Sequence, residues 1–407
     1  MGKTKTQKVK FSEIANKNFL MLFVAYTVVC VAHSMSSATL SACLRSVGMD
    51  MKVIGVISST MSWAAFIIRP FSAPIVDRGN KKKIYIFAVT LFTVAIFMYS
   101  RCAVDPSFAA PAKIVHGIAW TFISTVTAVV LSEHVSRENY GTALGFFMIS
   151  QMIASSISQP IAFTLANQYG YQTMYLIFGV IAAVGLVLIC FTAPTKKRTL
   201  DGKSIFSGIK LNNLFAKEAI LPMLVNVAYQ GSKSGINVFI AAFALEELNL
   251  ANIGLFSTFV SLTAWVARPL LGSLLDKRGA KVTLLPAGIC FAAGLACLSL
   301  AQGLPWFCVA GALVGFGQSG ISPVLTAISM RTVPEERKAA ANATNYLGMD
   351  LGSAIASTAG GFVVASFGYR AGFAAFIVPV MIATIAAAFY LNKVENKAAE
   401  SNEAETA

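Results

Sequence analysis

Twelve long stretches with little or no charge dictate what this chain can fold into. They fall at about 19–43, 53–76, 84–100, 107–132, 141–166, 173–193, 219–245, 253–275, 282–301, 306–330, 341–366 and 371–391. Each has roughly the 17–25 residues that a helix needs to cross a bilayer. Lipid tails offer no partner to a backbone N–H or C=O, so a spanning segment must satisfy its own groups, as a helix does. The runs are continuously apolar rather than alternating, which argues against a transmembrane barrel. Composition agrees: 12 % of residues are charged, against about 25 % in soluble domains, and mean hydropathy is +0.68.

The second constraint is an internal duplication. Arg69-Pro70 stands eight residues before Asp77 in an apolar run, and Arg78, Lys81, Lys82 and Lys83 follow. The arrangement returns 199 residues later as Arg268-Pro269, Asp276, Lys277, Arg278 and Lys281. The match extends upstream, Ile54-Gly55 against Ile253-Gly254. A period of half the chain means two homologous halves rather than a solenoid of short repeats.

The net charge of +14 is explained by where the charges lie. With the N-terminus inside, 24 of the 32 Lys and Arg fall on cytoplasmic segments, as the positive-inside rule requires. Nucleic acid is therefore not needed as a partner, whereas the lipid bilayer is. The seven Cys have no ligand or disulfide spacing and read as small core residues. The expected organisation is a cytoplasmic N-terminal segment 1–18, a six-helix bundle 19–193, a basic cytoplasmic linker 194–218, a second bundle 219–391 and a disordered cytoplasmic tail 392–407.

At the two Asp turns the chain resembles the major facilitator superfamily of transporters, in its twelve-span bacterial form. Gly272, Asp276, Lys277, Gly279 and Lys281 follow that family's Gly-x-x-x-Asp-Arg-x-Gly-Arg-Arg loop. In the first copy Ala73 and Asn80 stand in the two Gly places, and Asn tolerates the left-handed turn. Lys113-Ile114-Val115-His116-Gly117 resembles the family's Arg-x-x-Gln-Gly in span four. Tyr169-Gly170-Tyr171-Gln172 and Phe367-Gly368-Tyr369-Arg370 resemble its aromatic-Gly-aromatic-Arg. Arg137 and Arg337 also fit. The resemblance implies an all-α membrane fold of two pseudo-symmetric six-helix bundles rocking about a central site. Spans one, four, seven and ten would line the cavity, and spans three, six, nine and twelve would face lipid. Consistently, the runs for those last four contain no Asp, Glu, Lys, Arg, His, Asn or Gln.

Polar residues inside the spans are candidates for the work. Span seven places Asn226, Gln230, Lys233 and Asn237 at spacings of 4, 3 and 4, on one helical face. A Lys at the bilayer centre costs about 2.5–3.5 kcal/mol on insertion scales. Lys233 therefore needs a carboxylate, an aqueous cavity or an anionic ligand. Span four aligns Lys113, His116, Trp120, Ser124 and Thr127, and span one aligns Tyr26, Cys30, His33 and Ser37. His33 and His116 are suited to ligand binding or proton exchange near neutral pH, or to plain hydrogen bonding between helices.

Asp350 is the one acid well inside a span, with Asn342, Asn345, Ser353 and Ser357 nearby. It is either a proton carrier or half of an ion pair with Lys233 or another base. Gly315, Gly317, Gln318, Gly320 and Pro323 thin and interrupt span ten, as at a binding site or a moving helix. The substrate-binding set is thus Lys233, Gln230, Asn237, Asn226, His33, Tyr26, His116, Trp120, Gln318 and Asn345. Proton coupling is assigned to Asp350, His116 and Lys113, and gating to Asp77, Arg78, Asp276, Lys277, Arg69 and Arg268.

A cavity with that positive bias attracts anions. The expected function is secondary transport of a small organic anion or polar metabolite, coupled to protons or to exchange against another anion. The rival is proton-driven efflux of drugs or hydrophobic compounds. The Gly-Pro signature of the family's drug antiporters is replaced in span five by Gln159-Pro160. A non-transporting receptor or a membrane enzyme using His33 or His116 is a further class, but no nucleophile–base or metal-ligand spacing supports catalysis. No metal or cofactor is expected. The expected location is the cytoplasmic (inner) membrane, as a monomer with both termini in the cytoplasm.

Overall fold

The computed structural model describes residues 16–135, 140–192, 216–250, 254–331, 333 and 337–406. Residues 1–15, linker residues 194–215 and Arg137 lie outside the described residues, as do the side chains of Asp77, Asp276, Asn342 and residues 392–406.

Among the described residues, twelve long helical segments follow the twelve apolar runs. They are α1 (Lys17–Ser46), α2 (Met51–Arg78), α3 (Lys81–Cys102) and α4 (Ala109–His134). Next come α5 and α6, within Tyr140–Cys190 and divided at Gly170, and then α7 (Ile220–Glu246). Gly254–Ser299 divides at Gly279 into α8 and α9; α10 is Leu304–Arg331; Lys338–Thr406 divides at Gly368 into α11 and α12. The three dividing glycines have φ of 76°, 85° and 85°. That left-handed region costs a Cβ-bearing residue dearly, and with extended ψ it breaks the ladder so that the chain can reverse.

Helix starts follow local chemistry. The side chains of Asn16 and Asp50 accept from the N–H groups of Phe19 and Lys52, at 2.8 and 2.7 Å, and so cap α1 and α2. Asn80, the counterpart of Gly279, does not take the left-handed turn expected of it. Its φ is −75°, and its side chain accepts from Lys83 N–H to cap α3. An Asn gains a hydrogen bond as an N-cap and loses energy in the left-handed region, so the two copies of the turn differ in backbone. The tail also differs from expectation: α12 continues as helix to Thr406, in keeping with its content of Ala, Glu and Lys, all good helix formers.

Among the described helices only α7 falls short of the apolarity of a membrane span. Its polar stripe is the cause. A helix this polar is stable at membrane depth only where its polar face looks into protein or water.

α1–α6 and α7–α12 form two bundles that meet along α1–α7, α2–α11 and α5–α8. At the end opposite the Asp77 and Asp276 turns the seam is tight. Arg45 Nε donates to Glu246 Oε1 at 2.5 Å. A Cβ on Gly55 would lie 2.5 Å from Ser357 O, and one on Gly254 would lie 2.5 Å from Pro160 Cα. Within the second bundle, a Cβ on Gly352 would lie 2.3 Å from Val227 O, so α7 and α11 touch backbone to backbone. Gly352→Val should therefore destabilise the protein by about 3 kcal/mol. The check is thermal unfolding of the purified protein; an unchanged midpoint would mean that the helices separate at no cost.

Candidate functional site

A cavity of about 520 Å3 lies between the bundles. Among the described residues, α1, α2, α4, α5, α7, α8, α10 and α11 line it, α9 contributes only Phe291, and α3, α6 and α12 contribute nothing. Its volume suits a small organic ligand, for which pockets run to roughly 300–1,000 Å3.

Of the residues expected to bind substrate, His33, Trp120, Gln230, Lys233, Asn237 and Gln318 line this cavity. Arg69 and Arg268, expected at a gate, line it as well. Lys233 sits at the midpoint of α7. Among the described residues no carboxylate pairs with it. Arg268 has its Nε buried without a hydrogen-bond partner. Arg69, Lys233 and Arg268 thus line a cavity with no carboxylate among its described lining residues.

Asp350 pairs with Arg69, not with Lys233. Arg69 Nε donates to Asp350 Oδ2 at 2.5 Å and Nη2 to Oδ1 at 3.1 Å, and both side chains are only 14 % exposed. The guanidinium also lies 5.1 Å from the centre of the Tyr346 ring, a favourable cation–π placement. The fork geometry matches a carboxylate in two parallel hydrogen bonds, stronger and more directional than a lysine could make. Because α2 and α11 belong to different bundles, this ion pair ties the two halves together.

His33 and His116 form a chain leading away from the cavity. The His33 ring stacks on Trp120 at 3.6 Å between centroids and 7° between planes. His33 Nδ1 and His116 Nε2 are 2.8 Å apart, so one must carry the proton that the other accepts. Behind them, the Tyr99 hydroxyl is 2.9 Å from His116 Nδ1. His116 is fully buried and does not line the cavity.

The remaining candidates lie elsewhere. Asn226 Nδ2 donates to Asn345 Oδ1 at 2.9 Å, and both residues are buried inside the second bundle. Tyr26 sits behind the lining, where its hydroxyl accepts from Gln151 Nε2 at 2.6 Å. Lys113 is buried in α4 and does not reach the cavity. The three residues assigned to proton coupling are therefore not brought together. At the Asp turns Lys277 is exposed and Arg78 half-buried, while Lys81 makes a buried ion pair with Glu133 between α3 and α4. That pair locks one bundle internally.

Gln151, Ser155 and Gln159 line the cavity from α5, although none belongs to the substrate-binding set expected from the sequence. Their i, i+4, i+8 spacing puts them on one face, the same signal that marked α7. Gln159 accepts from Ser257 Oγ across the seam between α5 and α8.

Comparison with known proteins agrees with this architecture. The family model of the Major Facilitator Superfamily matches twice, over residues 22–226 and 222–407. Among curated proteins, the multidrug resistance protein MdtG of Serratia proteamaculans is 24 % identical over 78 % of both chains. The multi-drug resistance efflux pump PmrA of Streptococcus pneumoniae is 23 % identical over 64 % of this chain and 67 % of its own. Among solved structures, a POT family transporter in complex with 5-aminolevulinic acid superposes with a TM-score of 0.75, at 13 % identity, over 92 % of this chain and 96 % of that one. A bacterial homolog of the lysosomal transporter Spinster, in an inward-facing and unoccupied conformation, gives a TM-score of 0.70 at 14 % identity over 94 % and 97 %.

Proposed function

The chain belongs to the Major Facilitator Superfamily and is a multi-pass membrane transporter rather than an enzyme, and from that premise we propose that it exports an organic anion across the cytoplasmic membrane. One observation carries the choice of charge: Lys233, at the midpoint of α7, lines the cavity with no acidic partner among the described residues. A buried ammonium group that the protein does not neutralise is stabilised by an anion that visits it. Arg268 adds a second donor. Gln151, Gln230, Asn237 and Gln318 offer neutral hydrogen bonds for the rest of the ligand, and the stacked His33–Trp120 pair offers a flat surface. The direction rests on the relatives, one named a multidrug resistance protein and the other a multi-drug resistance efflux pump.

The Lys and Arg distribution supports a cytoplasmic position for the Asp turns, and with them for both termini. With the seam tight at the opposite end, the state described is then the inward-open one. His33, the one histidine among the described lining residues, serves as the proton site in a coupled cycle, with His116 behind it; exchange against another anion is the other coupling mode. A monomer is sufficient, since the cavity is complete within one chain.

The second reading, multidrug efflux without regard to charge, is favoured by the names of the relatives. Proteoliposomes separate the two. With an imposed pH gradient, the protein should accelerate flux of naphthalene-2-sulfonate over that of the similarly flat cation ethidium. Preferential movement of ethidium would overturn the anion reading and leave multidrug efflux.

A further inference from the structure

A second chamber, of about 780 Å3, adjoins the first on the side of the Asp turns. It lies between α5 of one bundle and α8–α10 of the other. Met148, Met152, Arg268 and Ser322 line both chambers and form the passage between them. The walls of the second chamber are largely apolar, and three of its four described lining hydroxyls are spent on their own helices. Ser319 Oγ donates to Gly315 O at 2.7 Å, Thr326 to Ser322 O at 3.0 Å and Thr283 to Gly279 O at 3.1 Å. Such back-bonding leaves hydrocarbon facing the space. Among the described lining residues the one charged group is Arg268, at the passage, with its Nε buried and unpartnered. Methionines at the passage adapt to varied shapes.

One chamber is cationic, the other apolar, and an arginine stands between them. Resting on the anion reading above, we propose that the substrate is a single-chain amphiphilic anion: its head group binds Lys233 and Arg268, and its hydrocarbon body fills the second chamber. A polar metabolite would leave 780 Å3 of apolar space unused, and a neutral hydrocarbon would leave both cations without an acceptor. Trp265 is 47 % exposed and Ile149 43 % exposed, so the chamber opens at the protein surface, where an amphiphile already dissolved in the bilayer can reach it.

Gly272 supplies the test. It lines the chamber, and a Cβ built there meets nothing within 4 Å. A larger side chain would therefore project into the chamber rather than into a neighbouring helix. The full-length protein in lipid nanodiscs is titrated with straight-chain alkanesulfonates from ethane- to octanesulfonate, which are anionic at every working pH. Empty nanodiscs correct for partitioning. Wild-type affinity should rise about fourfold per added methylene. Gly272→Phe should flatten that rise while leaving ethanesulfonate binding unchanged.

A wild-type series without chain-length dependence would overturn the proposal and leave the anion reading standing. So would a Gly272→Phe series as steep as wild type, whereas alkanols binding as tightly as sulfonates of equal length would overturn the proposal and the anion reading together. Failure of every sulfonate to bind would instead overturn the anion reading itself. The wild-type series decides the matter even if Gly272→Phe does not fold.

Discussion

Asp350→Ala should lower the stability of the purified protein by about 3 kcal/mol, and Asp350→Ala combined with Arg69→Leu should recover most of that loss. The single change leaves the Arg69 guanidinium 14 % exposed and without its carboxylate, and breaking a buried ion pair from one side costs about 3–5 kcal/mol. The lower end applies because the pair borders a water-accessible cavity that screens it. Removing both charges deletes the orphan, and an apolar pair of similar volume is often neutral. Thermal unfolding of the four proteins in a double-mutant cycle reads the coupling directly. Additive losses would show that Arg69 and Asp350 act independently, contrary to their fork geometry. The pair also joins the bundles, so Asp350→Ala should favour states in which α2 and α11 separate. Labelling of a cysteine placed at residue 357 should then become faster, and unchanged labelling would show that the pair does not hold the seam.

Lys233→Ala should weaken binding of a small organic anion by about 100-fold or more, roughly 3 kcal/mol, as when one partner of a buried charge pair is truncated. Lys233→Arg should retain part of the affinity, since charge is kept while the donors move. Direct titration with naphthalene-2-sulfonate measures both. The fold should tolerate the alanine, because removing an unneutralised charge from the centre of α7 relieves a burial cost of about 2.5–3.5 kcal/mol. Lys233→Ala with wild-type affinity would remove the lysine from the site and with it the main support for an anionic substrate.

Much of the site was legible in one dimension. The spacing of Gln230, Lys233 and Asn237 announced a polar face, and that face lines the cavity. The same spacing on α5 marks Gln151, Ser155 and Gln159, which only the structure drew out. Asn226 lies in register with its span-seven neighbours, yet it is absorbed by Asn345 on α11. Periodicity reports which side of a helix a residue is on. It does not report whether a neighbouring helix covers that part of the side. The left-handed turn expected at Asn80 failed for a related reason: the residue type permitted two local solutions, and capping α3 won.

The sequence by itself determined the membrane class, the twelve spans, the duplication and the family, because each rests on local hydropathy or on comparison of the chain with itself. The family resemblance, with the lack of charged and amide side chains in spans three, six, nine and twelve, pointed to those four as the ones outside the cavity. Among the described residues only Phe291 of α9 departs from that. Only the tertiary structure decided that Asp350 belongs to Arg69, 281 residues away, and that His33 meets His116 across 83. It alone joined a cationic chamber to an apolar one at Arg268. Those pairings depend on how far each helix slides and turns against its neighbours. Packing over the whole surface of both bundles sets that geometry, and no single stretch of sequence contains it.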